Sequence, residues 1–241
     1  MAFLNFFEQI LESIDDSMTS RVVPFVNPTE VYNEGWLIRL LVYQSKKYNV
    51  VIDGLIDFSE INSWTSEGLI SSPFIKVDVK REGYTHADMA LGDFSINYGE
   101  RGEIIVNDDA KVFGIIEAKL KSNLSQKTTH APDYNQASRN FACVLKNANN
   151  KYCKTFFAVV APQKRLDHYK IEAQINKDRM VKQIIERYKI SNIPVDHDLI
   201  SRAEQAIIKA FSYEDWIALL PIEVQETTND FYRTCLKWNR L

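Results

Sequence analysis

The chain has 241 residues, with 45% hydrophobic and 25% charged, so it holds enough apolar material for one generous domain or one domain with an added segment. Its formal net charge of −3 excludes a uniformly basic surface, and any nucleic-acid contact must come from a local basic patch. No apolar run reaches membrane-spanning length, so a membrane partner is not expected.

The three cysteines, Cys143, Cys153 and Cys235, lack metal-site or disulfide spacing and predict reduced thiols in a cytoplasmic protein. The opening stretch MAFLNFFEQILESIDD has no basic region and turns acidic, unlike a signal peptide. Its apolar positions Phe3, Leu4, Phe6, Phe7, Ile10, Leu11 and Ile14 follow helical spacing. They predict a helix that packs on the core or serves oligomerisation.

Asn27-Pro28-Thr29-Glu30 then opens a second helix, with Asn27 as cap, Pro28 at the first helical position and Glu30 placed for a capping box. It is expected to run through VYNEGWLIRLLVYQS with Glu34 inside it. Strands are expected at 48–56 and 73–81, joined by a polar connection, and again from Tyr84 to Phe94 with Asp88 near its start. Residues 97–111 read as a polar hairpin with turns at Gly99 to Gly102 and Asn107 to Asp109.

The segment VFGIIEAKLKS, Val112 to Ser122, organises the rest. A strand's side chains alternate, so Phe113, Ile115, Glu117 and Lys119 share one face and Val112, Gly114, Ile116 and Ala118 the other. The run is apolar on both faces until Glu117, as in a strand covered on both sides. After a polar loop, 132–148 reads as a helix and Thr155 to Ala161 as a buried strand ended by Pro162. The remaining third reads as helical: Lys170 to Lys189, Asp198 to Phe211, Tyr213 to Leu220 and Val224 to Trp238. The order predicts an α/β domain with a mixed sheet.

Asp88 at a strand start, Glu117 and Lys119 at a strand end, and Glu34 on a preceding helix are the parts of a metal-assisted phosphodiester hydrolase. A hard cation such as Mg²⁺ takes carboxylate oxygens, water and a phosphate oxygen, and a nearby lysine can orient the attacking water or offset charge on the leaving oxygen. Simpler readings stand beside this one. Glu117 and Lys119 can be a strand emerging into solvent, and Glu34 a solvent-facing helix residue. Gln136 and Arg139, one turn apart, can be an ordinary helix surface. Lys121, and the cluster Lys164, Arg165 and His168, can be solvated. Asp93 after Gly92 reads as a strand end, Glu30 is sufficiently explained as a cap, and His86 is set aside as structural.

The pattern Asp88 … Glu117-Ala118-Lys119, preceded by a helical Glu34 and followed by Gln136-Ala137-Ser138-Arg139 on a helix, resembles the PD-(D/E)XK nuclease superfamily. The resemblance covers roughly 28–162, with Ala87 in place of the motif's proline and the hairpin at 97–111 as an insertion. It implies a restriction-endonuclease-like mixed sheet flanked by helices, with 27–165 as the nuclease core; it does not reach the flanking segments, which the residue pattern divides into an N-terminal helix and loop (1–26) and a helical extension packed on the core (166–241). It further implies an endonuclease that binds Mg²⁺, or Mn²⁺ in its place, through Asp88, Glu117 and Glu34. Lys119 would position water, and Gln136 and Arg139 would buttress the site. With a nucleic-acid substrate, expected to be DNA, the basic residues Lys121, Arg139, Lys164 and Arg165 are the candidates for phosphate contact, and two sites in a homodimer would cut both strands. The rivals are a catalytically silent nucleic-acid-binding or assembly module on the same fold, or an unrelated α/β protein. The eight glycines form no phosphate-binding loop, and no Ser/His/Asp or Cys/His arrangement stands out.

Overall fold

The computed structural model describes residues 2–19, 23–75, 82–125, 134–148 and 150–241. Helix α1 (Ala2–Thr19) matches its apolar spacing and buries Ile14 completely; the side chains of Phe3, Leu4, Phe6 and Phe7 lie outside the described residues. The expected second helix is two helices, α2 (Pro28–Val31) and α3 (Glu34–Tyr48). Asn33 makes the break. Its Nδ2 donates to the carbonyls of Thr29 (3.0 Å) and Glu30 (2.8 Å), while its Oδ1 accepts from Trp36 N (3.0 Å). One side chain thus closes α2 and caps α3, which moves Glu34 from a helix interior to a helix start.

The strand expected at 48–56 is instead the end of α3 followed by a separate hairpin, β1 (Val51–Ile52) and β2 (Ile56–Asp57). Of the strand expected at 73–81, residues 73–75 form a turn and 76–81 lie outside the described residues. The connection between them is itself a strand, β3 (Ser63–Ser71). It pairs with one neighbour along its length and meets a second only at Leu69, so its first half is a polar edge that hydrophobicity does not announce. Strand β4 (Tyr84–Gly92) and β7 (Val112–Ala118) stand where expected, though Asp88 falls midway along β4 rather than near its start, and the hairpin expected at 97–111 is β5 (Phe94–Asn97) and β6 (Glu103–Val106), which begins earlier, at Phe94. Helix α4 (Gln136–Asn147), capped by Asn135, and β8 (Lys154–Ala161) also stand where expected; Pro132, expected near the first turn of that helix, lies outside the described residues.

The last third departs more. Helix α5 (Gln163–Tyr169) carries the basic cluster. Asn176 breaks the expected long helix into α6 (Ile171–Gln174) and α7 (Lys177–Ile190). Helix α8 (His197–Gln205) stops short, and β9 (Ile207–Ser212) follows, then α9 (Tyr213–Ala218) and α10 (Ile222–Trp238). Residues 207–211, expected to be helical, pair in parallel with β8 from Phe156↔Ile207 to Ala161↔Ser212. The segment 166–241 is therefore not helical throughout, since it supplies the sheet's seventh strand.

The mixed seven-stranded sheet runs β5-β6-β3-β4-β7-β8-β9, with β7, β8 and β9 parallel. Alternation sends Phe113, Ile115, Phe157 and Val159 into one apolar layer with α4, α7 and α8. Val112, Ile116, Ala118, Phe156 and Val160 enter the other with α3, α9 and α10. No helix among the described residues is long and apolar enough to cross a membrane.

Gly92 ends β4 at φ 139°, opposite Phe113, where a Cβ would fall 2.2 Å from the Val112 carbonyl oxygen. Gly92→Ala is expected to cost on the order of 3 kcal/mol in urea unfolding, because backbone strain and a backbone clash add. A loss below about 1 kcal/mol would show that the turn into β5 relaxes freely.

Candidate active site

The C-terminal ends of β7, β8 and β9 share one edge of the sheet. There β7 stays paired with β8 but parts from β4. Lys119 N still reaches the Val160 carbonyl at 2.8 Å. The β4–β7 ladder ends at Met89↔Ile116, and beyond it Ala118 N donates to Asp88 Oδ2 (2.8 Å). Leu120 N donates to Glu34 Oε2 (2.6 Å). Two acids from different elements therefore satisfy amides that the sheet leaves over. Glu34 can do this only because Asn33 restarts the helix there, and the positive end of α3 favours its carboxylate.

Glu117 turns toward α4. Its Oε1 accepts from Lys119 Nζ at 2.7 Å and from the Gln136 amide, and its Oε2 accepts from Asn140 Nδ2 at 2.8 Å. Asn140 is oriented in turn by the Thr85 hydroxyl, which donates to its Oδ1 at 2.8 Å. Lys119 Nζ also lies 3.9 Å from Asp88 Oδ2. Among the described residues no three acid, histidine or cysteine side chains form a metal-ligand group as they stand.

Burial and then the charge of Asp88 push the Glu117 carboxyl up to about 7, against the pull of Lys119. Burial likewise raises Glu34, with Leu120 N and Lys119 opposing. For Lys119 burial works downward, but Glu117 and Asp88 outweigh it and the ammonium is held more firmly. Between the ordinary 4.5 and about 7, the unfolded chain releases a proton that folded Glu117 keeps. Metal-free protein should therefore lose stability as pH rises through that window and level off above it. We expect the melting temperature to be higher near pH 5 than near pH 8, by on the order of 5 °C. Glu117→Gln should flatten the difference, and an equal slope in that variant would assign the effect to other groups.

Of the residues singled out by sequence, Glu34, Asp88, Glu117, Lys119 and Gln136 are brought together. Arg139 is not. It lies one turn from Gln136 but donates to the Tyr84 carbonyl (2.7 Å) and lies 3.6 Å from Glu82, on the flank of α4 away from Glu117. Lys121 is exposed just past β7, and Lys164 and Arg165 begin α5 just past β8, so all three flank the same sheet edge. Arg165 leans on Tyr169, donating to its hydroxyl at 3.1 Å. Asp93, the rival of Asp88, is a buried brace that accepts from Asn62 Nδ2 (2.6 Å) and Lys111 N (2.8 Å).

Two further polar groups at the site escaped the sequence. Asn140 shares a helix face with Gln136 four residues away, a spacing that was there to be read. Glu67, at a left-handed φ of 54°, interrupts the β3–β4 ladder between Ser66↔Met89 and Gly68↔Ala87, and its charge reaches Glu34. It sits in the stretch that hydrophobicity left as a connection. Comparison with protein-family models, curated proteins and solved structures returns no match to this chain.

Proposed function

We propose that this protein is a metal-dependent endonuclease acting on DNA, built on a restriction-endonuclease-like core. The observation that carries the reading is the meeting of Glu34, Asp88 and Glu117, from three separate elements, with the Lys119 ammonium at the end of one core strand. Hard carboxylate oxygens are the donors that Mg²⁺ or Mn²⁺ takes. Burial first, and then the charge of Asp88, push Glu117 upward, and a cation between the two carboxylates would offset both. Glu34, Asp88 and Glu117 would hold the metal, which when bound would polarise a phosphate oxygen and acidify water.

The chain's own groups do the rest. Lys119 orients the attacking water and offsets charge on the departing oxygen. Gln136 and Asn140 keep Glu117 in one orientation. Lys121, Lys164 and Arg165 supply a local basic edge for phosphates that the net charge of −3 does not advertise. A homodimer would bring two such sites to a duplex.

One observation favours a second reading. Both Glu117 oxygens are already occupied by Lys119, Gln136 and Asn140, a closed network that suits a catalytically silent DNA-binding module. The two readings separate on incubation of purified protein with supercoiled plasmid and single-stranded DNA in Mg²⁺, Mn²⁺ or EDTA, beside a Glu117→Ala/Lys119→Ala variant. Metal-dependent nicking or linearisation that the variant loses supports the nuclease. DNA retained but uncut under every condition supports the silent module, and neither cutting nor binding overturns both.

A further inference from the structure

Tyr213 opens α9 directly after β9, in the third of the chain that the family resemblance does not reach. Ser212 before it pairs with Ala161, and Val160 receives Lys119 N, so Tyr213 stands at the sheet edge where the acids meet. Its ring is completely buried, in the apolar layer it shares with Leu37, Ile116 and Ala118. The polar atoms of its neighbours are satisfied: the Tyr232 hydroxyl, on a ring 5.6 Å away, donates to Glu214 Oε1 (2.7 Å), and Trp216 Nε1 donates to Ser45 Oγ (2.8 Å). The Tyr213 hydroxyl has no hydrogen-bond partner among the described residues. Burial, then Glu34, then Asp88 hold it protonated. A phenol that keeps its proton thus sits within the field of two carboxylates. A phenylalanine would serve the packing without burying an unpaired donor.

The geometry points to Tyr213 as a positioning residue that donates its hydroxyl to the Glu34 carboxylate when Glu34, Asp88 and Glu117 gather a divalent cation. The inference rests on the metal-site reading above and extends that site into the last third of the chain. Partners just outside a ligand shell fix ligand orientation, and losing one costs about tenfold or more in metal affinity.

The test uses full-length wild type, Tyr213→Phe, Glu34→Gln and the double variant, titrated calorimetrically with Mn²⁺ alone and melted without metal. Tyr213→Phe should melt no lower than wild type, because it loses only an unpaired hydroxyl, and should bind Mn²⁺ about tenfold more weakly. On the Glu34→Gln background the same substitution should change nothing further, because Tyr213 acts through Glu34. Wild-type Mn²⁺ affinity in Tyr213→Phe overturns the proposal, as does an equal loss with and without Glu34. Failure of wild type itself to take up Mn²⁺ removes the metal site and the proposal together, an outcome visible before any Tyr213 variant is compared.

Discussion

With the proposed nuclease activity, Glu117→Ala is expected to lower metal-dependent DNA cleavage by about 10³-fold or more, the rate equivalent of several kcal/mol of lost charge stabilisation. The carboxylate is one of three acids at the strand end and the one that also holds Lys119, at 2.7 Å. Its removal should loosen the ammonium along with the metal. Lys119→Ala should fall by about 10²- to 10³-fold while retaining Mn²⁺ binding, because the three acids remain. Glu117→Gln separates chemistry from folding. It preserves the volume, leaves an oxygen for Lys119 or Gln136, and removes the buried carboxyl that burial and Asp88 push up. It should be nearly as inactive as Glu117→Ala yet at least as stable as wild type above about pH 7 without metal. Full cleavage by either Glu117 variant would remove the active site from this place.

Arg187→Ala is expected to destabilise the fold by about 3–5 kcal/mol, the range for stranding one member of a buried ion pair. Arg187 is completely buried on α7. It reaches Glu82 Oε2 through Nε and Nη2, each at 3.1 Å, and lies 4.5 Å over the Phe74 ring. Glu82 is itself buried, with the Ser72 hydroxyl donating to Oε1 at 2.7 Å and Arg139 3.6 Å away. The cluster ties the approach to β4 to α7 and to α4, the helix whose other flank presents Gln136 and Asn140 to Glu117. Urea unfolding measures the loss. Removing both charges, as in Glu82→Leu/Arg187→Met, should be milder than Arg187→Ala, because no uncompensated carboxylate remains inside. A double variant that is worse would mean that packing around Phe74, rather than charge, dominates the cluster.

The role of Arg139 shows where sequence spacing misleads. Gln136 and Arg139 are one turn apart, and a long arginine can follow either flank of a helix. The buried Glu82, 57 residues earlier in the chain, draws it away from the site. Asn140, which does reach Glu117, is a short side chain whose direction its backbone position decides.

The sequence by itself determined the organising strand and its ending. Alternation placed Phe113 and Ile115 with Glu117, and the two apolar layers divide as that alternation requires. Asp88 lies beside the Glu117 strand because β4 pairs directly with β7 although the β5–β6 hairpin intervenes in the chain, the place that an insertion between the two strands would take. Only the tertiary structure decided which polar or ambiguous stretches complete the sheet. Ser63 to Ser71 is a strand because β4 supplies its hydrogen bonds, and Ile207 to Ser212 is a strand because β8 has an open edge there. Hydrogen-bond partners from distant parts of the chain leave no mark in local periodicity. For the same reason Asn33, Glu67 and Tyr213 declare their places at the site only once the sheet has gathered them to one edge.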